Sequence, residues 1–319
     1  MGPAPPSPRK LSQGTLAAWA HRLPRKRKSA PPFRRGADFR FNRAVGKLPR
    51  FLSLLLLLIL VTLAAAPTPP SPPDAAYPNS MAALGDSMTR AFNACCRQGD
   101  QLPHSWSTGD GPSDGVTSHY ERLLQLTPHI RGNSFNEARS GATVSDLPRQ
   151  AAVAAGRQVQ YVTILIGAND LCAPSADSMT SVEDFTISVN QALAVLDSMR
   201  PRPQVFVSSI PDLHQLWNVL HTDPTAQSVW SAGQVCQSML AAGNTGETRR
   251  QVVEREKAFN SILAAACGSY REICRHDGGA VYSYPFSAAD VSVLDYFHPS
   301  MLGQARLAGI TWDAAWEDR

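Results

Sequence analysis

Acidic side chains are nearly absent from the start of this 319-residue chain: residues 1–50 hold one, against 13 Lys or Arg, a local charge of about +12. The remaining residues carry 17 basic and 25 acidic side chains, about −8, so the overall charge of +4 describes neither part. A basic balance ordinarily raises nucleic-acid binding, but this arm is Pro-rich and lacks aromatic residues at the regular intervals that stack on bases. Nucleic acid is therefore not an expected partner. Cysteine is missing before residue 95, and no C-x-x-C or His/Cys cluster with structural-site spacing occurs, which argues against a zinc site. No internal repeat or second enzymatic unit is evident.

Charge is also missing from Phe51 to Ala66, a Leu-rich run of 16 residues. A basic stretch before it and small residues after it follow the order of a secretory signal, with Ala64-Ala65-Ala66 as an A-x-A cleavage site. The run falls short of the roughly 20 residues of a spanning helix. Export is the main expectation, and the long leader also fits a single-pass anchor with its basic side in the cytoplasm. Residues 67–80 contain six prolines and read as a stiff spacer. The expected organisation is thus a basic leader at 1–50, a signal or anchor at 51–66, a spacer at 67–80 and a folded domain at 81–319.

All six cysteines, Cys95, Cys96, Cys172, Cys236, Cys267 and Cys274, follow the apolar run. An even count in an exported chain implies three disulfides, with 15 pairings open. Cys267 and Cys274 can close a local loop, and adjacent Cys95 and Cys96 are expected to take different partners.

Beyond residue 80, strand and helix patterns alternate. Met81–Leu84, Ser134–Asn136, Tyr161–Ile166 and Val205–Ile210 read as strands, with a last one near Ala280–Tyr284. Val182–Met199 repeats apolar residues at helical spacing, and a second long helix is expected from about Gly246 to Cys267. Strands apolar on both faces need cover on both sides. The expectation is a three-layer α/β domain with a mainly parallel sheet.

Two distant runs carry the chemistry. Gly85-Asp86-Ser87 follows the first strand, where Gly85 permits a sharp turn and a helix from about Met88 would aim free N–H groups at the Ser87 hydroxyl. Asp295-Tyr296-Phe297-His298-Pro299 supplies an imidazole with a carboxylate three residues before it, which can orient one ring nitrogen while the other serves as base. Pro299 can open a terminal helix that presents His298. Gly141 and Asn169, at the ends of other candidate strands, can donate to a developing oxyanion together with the Ser87 N–H. Each run taken singly also describes something ordinary: a capped helix, a turn, an Asx-turn or a surface histidine. His104, His119, His129, His214, His221 and His276 lack the Asp-and-Pro context and read as loop or surface residues.

Together these four blocks resemble the SGNH, or GDSL-type, hydrolase superfamily. The resemblance implies a flavodoxin-like three-layer α/β/α sandwich with a five-stranded, mainly parallel sheet, and a serine esterase that needs no cofactor. It implies Ser87 as nucleophile, His298 as base and Asp295 as its partner, with Ser87, Gly141 and Asn169 forming the oxyanion hole. Ser105–Gly111, Asn136–Ala142, Asp146–Pro148 and Ile166–Cys172 are similar to the phospholipase-B-like branch, in which Trp106 would shape the substrate entrance. The implied substrate is an ester, a phospholipid or lysophospholipid, met at a membrane surface. A carbohydrate O-acetylesterase or short-chain esterase uses the same machinery, and a non-catalytic lipid-binding domain is a third reading.

Overall fold

The computed structural model describes residues 77–316. The basic leader, the apolar run at 51–66 and the spacer up to residue 76 lie outside the described residues. In chain order the main elements are β1 (Met81–Gly85), α1 (His119–Leu126), β2 (Ser134–Asn136), α2 (Leu147–Gly156), β3 (Tyr161–Leu165), α3 (Ala168–Leu171), α4 (Val182–Asp197), β4 (Gln204–Val207), α5 (Leu213–Leu220), α6 (Pro224–Gly233), α7 (Gln237–Leu240), α8 (Gly246–Ser269), β5 (Cys274–His276), α9 (Ala280–Ser283) and α10 (Met301–Trp316).

The five strands pair in the order β2-β1-β3-β4-β5, every pair parallel. Side chains alternate across a strand, so the sequence of each strand sorts residues between two layers. Met81, Tyr161 and Phe206 face Tyr120 and Leu123 of α1 and Ala315 of α10. Ala82, Leu84, Val162, Ile164, Val205 and Val207 lie in the larger core, with Ala151 of α2, Val189 and Leu193 of α4, and Phe259 of α8. Phe185 and Phe259 stack with ring centroids 3.9 Å apart, joining α4 to α8. Burial of each such Leu or Phe contributes about 1.5–3 kcal/mol. All residues of β1 and β3 are buried, as double coverage demands. The arrangement is the expected three-layer α/β/α sandwich of the flavodoxin-like kind.

Several local expectations are corrected. β4 stops at Val207, the last residue paired to β5; two residues on, the Ser209 hydroxyl donates to Asp277 and accepts from Tyr282 N, holding a turn. The last strand is Cys274–His276, not Ala280–Tyr284. Gly278 and Gly279, at φ of +66° and +86°, end the extended run, and Asp277 accepts from Gly279 N and Val281 N to start the short helix α9. No regular helix begins at Met88. Arg90 N and Phe92 N both donate to Ser87 O, and Ala91 and Asn93 take left-handed φ values of 48° and 56°, so the chain makes successive turns. α10 starts at Met301, leaving His298 in the preceding loop.

The cysteines pair as Cys172–Cys236, Cys267–Cys274 and Cys95–Cys96, with none free. The local Cys267–Cys274 loop is as expected. Cys95 and Cys96, expected to take different partners, bond to each other in a turn where Cys96 has φ 58°. His119 is not a surface residue. It is fully buried, with Nδ1 on the Tyr161 hydroxyl and Nε2 on the Thr311 hydroxyl, both at 2.9 Å, and burial lowers its pKa to about 3.

Candidate active site

β1 and β3 are neighbours, and the connection from β1 runs toward β2 while that from β3 runs toward β4, so the two leave in opposite directions. The crevice beyond the carboxyl ends at such a switch point is where open α/β sheets bind ligands. Ser87 follows the end of β1 there, and Asn169 follows the end of β3 in the first turn of α3.

The turn that aims Ser87 needs glycine. Gly85 has φ +144°, and a Cβ there would lie 2.1 Å from the Leu165 carbonyl oxygen. Gln150 of α2 grips this residue twice: its Oε1 accepts from Gly85 N at 2.7 Å and its Nε2 donates to Gly85 O at 2.9 Å. Gln304 of α10 acts on the other side, donating to Met88 O and accepting from Trp106 N, each at 2.9 Å. Both glutamines are buried, so the turn carrying the hydroxyl is clamped from two layers of the sandwich. Asp86 Oδ1 accepts from Met88 N while its Oδ2 has no hydrogen-bond partner. Burial pushes this carboxyl up to about 7, against the pull of the Met88 N–H and of His298.

His298 brings the two ends of the domain together. Its Nε2 is 2.8 Å from Ser87 Oγ, and its Nδ1 is 2.6 Å from Asp295 Oδ2. Asp295 Oδ1 accepts the backbone N–H groups of Phe297 and His298, each at 3.0 Å. Asn93 completes the shell, donating from Nδ2 to Asp295 Oδ2 at 2.6 Å while its own Oδ1 accepts from Gly99 N. Burial pushes the Asp295 carboxyl up, and the hydrogen bond and charge of His298, with help from the His298 N–H and Asn93, outweigh it and hold it below its ordinary value. A hydroxyl bonded to an imidazole that is bonded to an ionised carboxylate is a proton relay able to generate an oxygen nucleophile.

Asn169 is tied to the residue that follows Gly141. Asn169 Nδ2 donates to Ala142 O at 2.9 Å, and the neighbouring Asp170 accepts from Val144 N at 2.9 Å and from the Thr180 hydroxyl at 2.8 Å. Burial raises the Asp170 carboxyl to about 6. Gly141 has φ +78°, and a Cβ built on it meets nothing within 4 Å. The Asn169 amide has two N–H groups, and its hydrogen bond to Ala142 uses one of them.

Two sequence readings move. Trp106 is fully buried in the core, so it packs the interior and does not border an entrance. His104 pairs with Asp114 at 2.7 Å, a carboxylate ten residues away. Asn93, Gln150 and Gln304 carried no sequence signal, because each is a single amide whose partner is brought near by the fold. Among the described residues no group of three or more His, Cys, Asp or Glu is arranged to hold a metal ion, and no helix is long and apolar enough to cross a membrane.

The four blocks fall within residues 83–306, which match the GDSL-like lipase/acylhydrolase family. The chain belongs to that family. This GDSL-like chain is 30% identical over 298 residues to phospholipase B1, membrane-associated, of Homo sapiens, a match covering 75% of the chain and 20% of that protein. Its identity to the Mus musculus protein of the same name is 27% over 215 residues, covering 56% and 14%. The chain therefore spans about one fifth or less of the length of these curated relatives. Among solved structures it resembles an acetyl xylan esterase from Geobacillus stearothermophilus at 16% identity and a TM-score of 0.45, covering 74% of this chain and 94% of that one. A lipase/acylhydrolase from Enterococcus faecalis aligns at 16% identity and a TM-score of 0.43, covering 72% and 92%.

Proposed function

We propose that this GDSL-like chain is an exported serine hydrolase that cleaves acyl esters of phospholipids or lysophospholipids. The observation that carries the chemistry is the continuous hydrogen-bonded line from Ser87 Oγ through both nitrogens of His298 to Asp295, with links of 2.8 and 2.6 Å. As the Ser87 oxygen bonds to the ester carbonyl carbon, its proton passes to His298 Nε2. The carbonyl π pair moves onto oxygen, where the Ser87 and Gly141 N–H groups and the Asn169 amide receive it. Each such donor is worth about 3 kcal/mol to the transition state. Collapse breaks the ester C–O bond, and His298 gives its proton to the departing alcohol. Water then gives a proton to His298 as its oxygen bonds to the acyl carbon; the bond to Ser87 Oγ breaks, His298 returns the proton to that oxygen, and the acid leaves.

The lipid assignment is supported by the similarity to phospholipase B1 and by the phospholipase-B-like segments around Asn136–Ala142 and Ile166–Cys172. Export is supported by the order of basic leader, Leu-rich run and small residues, and by the pairing of all six cysteines. In this reading residues 81–319 form the hydrolase domain and 1–80 deliver it.

The test is a substrate panel read with parent and Ser87→Ala proteins. Release of fatty acid from phosphatidylcholine or lysophosphatidylcholine vesicles, absent in Ser87→Ala, is the expected result. Turnover of acetylated xylan with no lipid hydrolysis refutes the lipid assignment. Full activity in Ser87→Ala, or no labelling of Ser87 by a fluorophosphonate in folded protein, refutes the mechanism.

A further inference from the structure

Between β4 and α8 the chain runs through α6 and α7, which add no strand to the sheet yet touch both halves of the site. On one side, α7 is bound to the end of α3, the helix of Asn169. Cys236 is bonded to Cys172, the Ser238 hydroxyl donates to Leu171 O at 2.5 Å, and Ser238 N donates to Ala173 O at 3.0 Å. On the other side, Trp230 of α6 is 2% exposed, and its indole N–H donates to the Tyr296 carbonyl at 2.9 Å. The start of α6 is itself capped by Asp223, which accepts from Thr225 N and Ala226 N.

Tyr296 stands between Asp295 and His298 and takes a left-handed φ of 54°, a conformation that a Tyr holds only when its surroundings impose it. Its carbonyl belongs to the same planar peptide as the Phe297 N–H. That N–H donates to Asp295 Oδ1 at 3.0 Å. One rigid plane therefore has Trp230 on its oxygen and Asp295 on its hydrogen. Rotation of the plane, which turns Tyr296 ψ and Phe297 φ, would lose both contacts at once.

We propose that Trp230 is a positioning residue for the proton relay: by holding the Tyr296–Phe297 peptide plane, its N–H keeps the Phe297 N–H on Asp295 and so keeps the carboxylate aimed at His298. The inference rests on the ester-hydrolase reading above. α6 and α7 then set the base and the Asn169 donor in register from a single segment, since the same stretch is locked to α3 by the Cys172–Cys236 bond.

The experiment removes the donor and keeps the ring. Trp230→Phe, and the full chain carrying 3-benzothienylalanine at position 230, in which sulfur replaces the indole N–H, are compared with the parent on p-nitrophenyl butyrate. The expected result is a kcat lowered roughly 10- to 100-fold, the range for a small misplacement of a catalytic group. KM should stay within about 2-fold and the thermal midpoint of the benzothienyl protein near that of the parent, with Ser87 labelling by a fluorophosphonate slowed in step with kcat. A folded benzothienyl protein with parental kcat and labelling rate overturns the inference and leaves the hydrolase reading standing. So does a loss confined to KM or to the thermal midpoint. A folded parent that neither turns over esters nor labels at Ser87 overturns both.

Discussion

Asp295→Asn tests the relay at the atoms that set its direction. All four neighbours of the Asp295 carboxylate are donors: the Phe297 and His298 N–H groups on Oδ1, and His298 Nδ1 and Asn93 Nδ2 on Oδ2. A carboxylate accepts from all of them, whereas a carboxamide brings two donors of its own. With the amide oxygen kept on the two backbone groups, the new NH2 faces both His298 Nδ1 and Asn93 Nδ2. Asn93 resists turning its amide because its Oδ1 already accepts from Gly99 N at 2.8 Å. His298 relieves the clash by carrying its proton on Nε2, which then donates to Ser87 Oγ and no longer accepts from it. The base is lost in the favoured tautomer. Carboxylate-to-amide replacement of this kind costs about 10⁴ in kcat, or about 5.5 kcal/mol of transition-state stabilisation. The assay is steady-state hydrolysis of p-nitrophenyl butyrate, with near-ultraviolet circular dichroism to establish the fold. We expect kcat to fall by about 10³ to 10⁴ while KM changes by less than about 3-fold. A folded variant whose kcat stays within 10-fold of the parent would refute the assignment of Asp295 and the tautomer argument together.

The remaining predictions concern the oxyanion donor and the buried titrating groups. Asn169→Ala should lower kcat by about 10² to 10³ with little change in KM, and an unaltered kcat in folded protein removes Asn169 from the hole. His119 has its pKa lowered to about 3 by burial, so between pH 6.5 and 3 the unfolded chain takes up a proton that the folded chain refuses. Its contribution to stability is therefore lost as pH falls through that window, by up to about 1.4 kcal/mol per pH unit. Urea midpoints at pH 7 and pH 5 should converge in His119→Gln relative to the parent, and parallel pH profiles for the two proteins would count against the buried neutral imidazole. Asp86 acts with the opposite sign: burial raises it from 3.8 to about 7, so the folded chain holds a proton that the unfolded chain releases, and stability is lost as pH rises through that range. Asp86→Asn should thus gain on the parent as pH goes from 4 to 8 in the same urea measurement, and a constant offset contradicts the raised carboxyl.

Residues whose chemistry depends on near neighbours in sequence were legible without the fold. Asp295 and His298 share one turn, Gly85 immediately precedes the turn it makes possible, and the apolar strands at Tyr161–Leu165 and Gln204–Val207 announce two-sided burial by composition. Reading was poorer where composition and register disagree. Ala280–Ser283 is rich in apolar and aromatic residues and forms a helical turn, because Gly278, Gly279 and the Asp277 cap end the strand before it. His119 has a polar name and a fully buried place, since the hydroxyls that satisfy it arrive from β3 and from α10. Cys95 and Cys96 bond to each other, a pairing that spacing alone did not favour.

By itself, then, the sequence determined the fold class and the four chemical blocks, because turn residues, strand composition and short-range spacing act within a few peptide units. Only the tertiary structure decided what holds those blocks at reacting distance. The 2.8 Å contact between Ser87 and His298 joins residues 211 apart, and Gln150, Gln304, Asn93 and Trp230 meet their partners across separations of 65 to 216 residues. No local pattern encodes such contacts. They exist only once the parallel sheet has brought the ends of β1 and β3 together and the helices have closed around them.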